Sequence, residues 1–189
     1  MSYLRNLIAS SLAAGFLLLA SFETQAAIFA VNGGTAAPAA TLGPYTMTPF
    51  GPDNTNPLSA PSSNVPSPLG GDLGLSPAQN HHTIGSGWAT WSHGYTGDVY
   101  SDLSSTVMQL TLPANTGAFY FYAEPNPFSD ILITAESQDG TILNELVQGN
   151  SGASYFGFYG TSGDSIALIT VSSATNFAVP SLTRTWPGS

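Results

Sequence analysis

Ile131-Leu132-Ile133-Thr134-Ala135-Glu136-Ser137-Gln138-Asp139-Gly140-Thr141-Ile142-Leu143-Asn144-Glu145-Leu146-Val147 is the stretch that decides the fold. Two runs rich in β-branched and aliphatic residues, Ile131 to Gln138 and Thr141 to Val147, flank Asp139-Gly140. Those two residue types tolerate the positive φ angles of a type I′ turn, so the stretch predicts a two-residue β-hairpin. The same punctuation continues on both sides. Upstream, Thr106 to Leu112 places Met108, Leu110 and Leu112 on one face, Pro113 to Gly117 turns the chain, and Ala118 to Ala123 alternates Phe119 and Phe121 with Tyr120 and Tyr122. Downstream, Gly149-Asn150-Ser151-Gly152 leads into Ser154 to Tyr159, Thr161 to Asp164 into Ser165 to Ser173, and Asn176 to Val179 completes the series. Short apolar runs separated by turn residues about every ten positions are an all-β signature. The strands are too many for one open sheet, so the pattern predicts an antiparallel β-sandwich of the jelly-roll type.

Between Ala36 and Asn80 the texture differs, with nine of the 14 prolines among Ser, Asn and Gly. Proline cannot donate to a sheet ladder and pushes its predecessor out of the helical region. Residues 36–80 are therefore expected as an extended, loop-rich arm partly packed along the β-domain, most mobile over Asn54 to Pro68. Residues 27–35, with Ile28-Phe29-Ala30-Val31, are expected as a first strand packed on a β-sandwich domain of residues 81–189.

The N-terminus carries Arg5, an almost unbroken apolar run from Leu7 to Phe22, and the small-residue stretch Thr24-Gln25-Ala26-Ala27. That order is a secretory signal peptide, with cleavage expected after Ala26, where Thr24 and Ala26 occupy the two positions that must be small. The run is short for a membrane-spanning helix. No cysteine is present, so disulfides and lipid attachment through a cysteine are excluded. Lysine is also absent, and after leader removal Arg184 alone stands against ten carboxylates. Nucleic acid is excluded as a partner because counterion release needs clustered basic residues, and anionic lipid is disfavoured for the same reason. With 7% charged residues in the whole chain, the surface must be built from Ser, Thr, Asn, Gln and Gly, which suits hydroxyl-rich neighbours.

Three segments carry a family resemblance: Gly87 to Tyr100 (Gly-Trp-Ala-Thr-Trp-Ser-His-Gly-Tyr-Thr-Gly-Asp-Val-Tyr), Ala118 to Phe128 and Tyr155-Phe156-Gly157-Phe158-Tyr159. With the leader, they resemble secreted bacterial proteins of the PEP-CTERM type. The resemblance implies a β-sandwich ectodomain associated with exopolysaccharide and biofilm matrix. That group ends in a Pro-Glu-Pro motif, a membrane segment and a basic tail, whereas this sequence ends Thr185-Trp186-Pro187-Gly188-Ser189. Release without a stable membrane anchor is the corresponding expectation.

Trp88, Trp91, His93, Tyr95 and Tyr100 form the candidate ligand site, because aromatic rings with polar edges can pack on a pyranose face while neighbours fix its hydroxyls. The competing reading makes Trp88 and Trp91 core residues, and exposure of Trp88 and Tyr95 decides between them. For a structural calcium ion, Asp98, Asp102, Glu124 and Asp130 are the candidate oxygen donors. Zinc would need His81, His82 and His93, but adjacent His81 and His82 diverge on a strand. Carboxylate pairs for glycoside hydrolysis are Glu124 with Glu136, or Glu136 with Glu145. Ser92-His93 lacks an identifiable orienting acid. The resulting expectation is a secreted, non-catalytic extracellular-matrix protein that binds or scaffolds polysaccharide and requires no cofactor. The alternatives are a self-associating structural or surface-layer protein and, third, a secreted glycan hydrolase.

Overall fold

A computed structural model describes residues 27–161 and 163–180, and the backbone of 183–185. The expected signal peptide lies outside the described residues. Sixteen strands follow in order: β1 (Ile28–Gly34), β2 (Thr41–Leu42), β3 (Tyr45–Thr46), β4 (Thr48–Pro49), β5 (Pro61–Pro66), β6 (Asp72–Ile84), β7 (Gly87–Trp88) and β8 (Asp98–Ser101), then β9 (Val107–Thr111), β10 (Ala118–Pro125), β11 (Asp130–Ser137), β12 (Ile142–Gln148), β13 (Ser154–Gly160), β14 (Leu168–Ser173), β15 (Phe177–Pro180) and β16 (Thr183–Thr185). No helix occurs among the described residues. Fourteen strands join one sheet with the path β1-β13-β10-β15-β8-β6-β9-β14-β11-β12, while β2 and β3 form a separate ribbon. Its ladders are antiparallel apart from β6 with β7. The fold is thus the expected all-β antiparallel sandwich, curled until it nearly closes as a barrel.

The closing seam lies between β1 and β12. No ladder joins these end strands among the described residues. Instead Ile28 N donates to Asp139 Oδ2 at 3.2 Å, and Thr141 Oγ1 donates to Ile28 O at 3.1 Å. The β11–β12 hairpin forms in the predicted place, but its loop has three residues. Gly140 N bonds Ser137 O and Ser137 N bonds Thr141 O, and only Gly140 has positive φ, at 84°. This is a turn followed by a left-handed glycine. Asp139 keeps ordinary φ, and its carboxylate accepts from Ser137 Oγ and Thr141 N as well as from Ile28.

Two hydrophobic layers hold the sheet. Inside the sandwich, Phe119, Phe121, Phe156 and Phe158 of β10 and β13 meet Leu73, Leu75, Met108, Leu110, Ile133, Ile169 and Val171 of the opposite half. The tyrosines that alternate with those phenylalanines point outward. Tyr120, Tyr122 and Tyr155 join Trp88, Trp91, Leu42, Met47 and Val99 in a second core outside the sheet. Every residue of β10 is consequently buried, because each face meets its own apolar layer.

The expected arm is the main correction to the organisation. Its downstream half is sheet: β5 pairs with β6, β6 pairs on its other side with β9 and β8, and the anticipated boundary at residue 81 falls inside β6. Val65 and Leu73 are buried in the interior core. Prolines are compatible with this placement because Pro61 and Pro66 end an edge strand, where an N–H is dispensable. Pro77 sits between Ser76, where β6 leaves β9, and Asn80, where it joins β8. At that irregularity one strand serves both halves of the sandwich. The upstream half, including Leu42, Tyr45 and Met47, covers the outer tyrosines.

Candidate functional site

Most of the expected aromatic platform is core. Trp88 and Trp91 are 7% and 6% exposed, and Tyr100 is fully buried. They cannot offer a ring face to a ligand, and the expectation of a platform on these three is corrected. The cause for Trp88 is Glu124, whose Oε2 accepts from the indole Nε1 at 2.9 Å while its Oε1 accepts from Thr90 Oγ1 and Gly152 N. Tyr95 is half-buried and donates to Asp98 O at 2.8 Å. His93 alone remains exposed, its ring centre 4.6 Å from that of Tyr122. Ser92 Oγ donates to Ala153 O at 2.6 Å and so takes the His93 Nδ1 contact, at 2.9 Å, as an acceptor. That polarity is opposite to the one a base-activated serine needs.

The candidate calcium ligands are scattered. Asp102 binds the Ser104 amide and hydroxyl, Asp130 accepts from Gln148, and Glu124 is committed to Trp88 and its neighbours. Asp98 Oδ1 lies 3.0 Å from His81 Nε2, at ion-pair distance but out of line for a hydrogen bond. No three acidic or histidine side chains are grouped to hold a metal among the described residues, so neither the calcium nor the zinc set is assembled. Nor do the carboxylate pairs face each other. Glu124 is buried on β10, Glu136 is exposed on β11, and Glu145 points inward from β12.

Asp98 and Tyr100 instead belong to a clasp that holds the arm. Asp98 Oδ2 accepts from Asp53 N at 2.7 Å, and Tyr100 OH donates to Asp53 Oδ2 at 2.6 Å. Asp53 also accepts from Asn56 Nδ2 and from the amides of Thr55 and Asn56. Burial pulls the Asp53 carboxyl up, but these donors outweigh it and hold it below the ordinary aspartate value. His81 completes the clasp, stacked on Tyr100 at 5.2 Å with Nδ1 2.9 Å from Asn56 O.

A concave site does exist, on the outer face of β1, β13 and β10. A groove of about 310 Å³ runs between Tyr122, Tyr155 and Tyr159 on the sheet and the loop from Ala36 to Gly43, with Val31 and Gly33 beside it. Tyr122 OH donates to Ala36 O and ties the loop to the sheet. Close approach requires glycine at two places. A Cβ on Gly33 would stand 2.8 Å from the Tyr155 ring, and one on Gly43, where φ is 56°, 2.5 Å from the Tyr159 ring. The rings brace one another, Tyr120 with Tyr155 at 4.7 Å and Tyr122 edge-on to Tyr155 at 5.5 Å. Phe29, exposed, stacks on Tyr159 at 5.3 Å and extends the aromatic wall to the surface. Burial pushes the Tyr122 and Tyr155 hydroxyls up. No protein-family model, curated protein or solved structure matches the chain.

The groove combines β10 and β13 with an arm more than 70 residues earlier in sequence. Its signal was the strict Phe and Tyr alternation, since an outward row of phenols in two adjacent strands requires a partly polar cover. Which segment supplies that cover is a tertiary fact.

Proposed function

We propose that this is an exported, non-catalytic matrix protein that binds polysaccharide in the groove between the three tyrosines and the Ala36–Gly43 loop. The groove is the observation that carries the reading. Its volume of about 310 Å³ lies at the lower end of the range of small-ligand sites, about 300–1,000 Å³. The partly exposed Tyr159 ring, over a floor formed by the buried Tyr122 and Tyr155 and beside phenol and backbone polar groups, suits a neutral sugar, and the absence of lysine with only 7% charged residues disfavours anionic ligands. The Ser92–His93 polarity and the separated carboxylates support a role without turnover. The leader and the PEP-CTERM resemblance support an extracellular, bacterial-matrix setting. Retention on polysaccharide affinity gels tests the site: Tyr159→Ala and the groove-filling Ala37→Trp should each weaken retention about tenfold or more, the scale of losing an aromatic contact with its burial. Undiminished retention in both variants would remove the site.

A second reading, self-association, is favoured by the outer face of the β11–β12 hairpin. Leu132 and Leu146 are directly opposite across the ladder and 53% and 67% exposed, Leu146 on the terminal strand β12 and Leu132 on its neighbour β11. Exposed apolar edges template pairing. Sedimentation should then show concentration-dependent assembly that Leu146→Lys abolishes, and a wild-type monomer at high concentration contradicts it.

A further inference from the structure

A small acidic cavity beside the start of β1 has no ligand role in the site described above. It measures about 110 Å³ and is lined by Ala27, Ile28, Gln138, Asp139, Asp164 and Ser165. That is room for a few waters, at about 30 Å³ each, and too little for a sugar. Asp164 Oδ2 is buried with no hydrogen-bond partner, an arrangement that costs free energy until a cation or donor meets it. Asp139 is already occupied by Ser137, Thr141 and Ile28. Ala27 is held in place, since its carbonyl accepts from Thr161 N at 3.2 Å and the next amide donates to Asp139. Ala27 is also the residue that the leader sequence Thr24-Gln25-Ala26 would expose as the first of the mature chain.

We propose that leader removal completes this cavity: the new α-ammonium of Ala27 ion-pairs with Asp164, with the Asp139 carboxylate alongside. The inference rests on the export reading above. Hydrolysis of the Ala26–Ala27 amide consumes one water and leaves a carboxylate on Ala26 and an ammonium on Ala27. Before cleavage the Ala27 nitrogen is an uncharged amide with a single donor; afterwards it carries three donors and a positive charge. The supply of cations is otherwise minimal, because the sequence has no lysine and only Arg184 remains once Arg5 is removed. The pair would fasten the β1 end of the seam, where side-chain bridges replace a ladder. An uncleaved chain would lack the latch, which makes final stability a consequence of export.

The test uses the full chain expressed for secretion. Intact mass identifies the N-terminal residue, and NMR titration of the Ala27 Cα and Cβ shifts in the carbon-13-labelled chain gives the pKa of its unmodified α-amine. The account expects Ala27 at the N-terminus and an amine titrating about one unit or more above the ordinary 7.7–8.0, with Asp164→Asn removing the increase. A mass showing Ala27 with an amine that titrates in the ordinary range overturns the latch and leaves the export reading standing. A cleaved chain that begins at another residue overturns the latch alone, and a chain that keeps its leader overturns the export reading and the latch with it. The wild-type titration decides even if Asp164→Asn does not fold.

Discussion

Glu124 sits at 0% exposure with the indole of Trp88, the hydroxyl of Thr90 and the amide of Gly152 all donating to its carboxylate. Burial pushes its pKa up, and the donors only partly offset that. An acid raised in the folded state weakens folding as pH climbs from its unfolded value through its folded one, because the folded chain binds the proton more tightly. Trp88→Phe removes one donor, so Glu124 should rise further. Urea denaturation should show a loss of about 1–3 kcal/mol that is larger near pH 7 than near pH 4. An equal loss at both would mean that Trp88 contributes packing alone. Trp88 and Trp91 were conspicuous in the sequence as aromatics between glycines, and the reading of both as core residues holds. What was not legible is the partner of the Trp88 indole, a carboxylate 36 positions away whose register across β10 no local pattern reveals.

At the scale of elements, the alternation of Phe119, Phe121 and Met108, Leu110 gave strands that need only a period of two to be recognised. The hairpin was legible from Asp139-Gly140, though not its three-residue loop, in which Asp139 accepts from Ser137 and Thr141 as well as from the distant Ile28. The arm was misread for a physical reason: proline excludes a central ladder position, but an edge strand and an irregular corner both accommodate it. Asp53 and Tyr100 fasten the arm, and this has a pH signature. A carboxyl held below its unfolded value contributes stability that is present above that value and lost as pH falls through the folded one. Tyr100→Phe removes the donor at 2.6 Å, so the acid midpoint should move to higher pH and stability at neutral pH should drop by about 1–2 kcal/mol. Hydrogen exchange of the Thr55 and Asn56 amides should accelerate in the variant at mildly acidic pH. Exchange unchanged from wild type would show that the clasp does not hold the arm.

In the whole molecule, one sheet carries two apolar layers, and the second layer gives it a site. The inner core makes the sandwich. The outer core, built by the upstream arm and the Trp88–Tyr95 segment over a row of tyrosines, leaves a groove where the cover thins to alanines and glycine. Sequence pattern made the all-β class legible, and composition the sparsely charged, net-acidic, lysine-free surface. Neither could place the groove, because its walls come from opposite ends of the chain's order. Amide and aromatic NMR mapping while a neutral matrix oligosaccharide is added to the protein tests sugar binding in the groove directly. Binding there gives saturable shifts confined to Val31–Gly43 and to the rings of Tyr122, Tyr155 and Tyr159, abolished by Ala37→Trp. Shifts centred on the β11–β12 hairpin, or none at any sugar concentration, would contradict it.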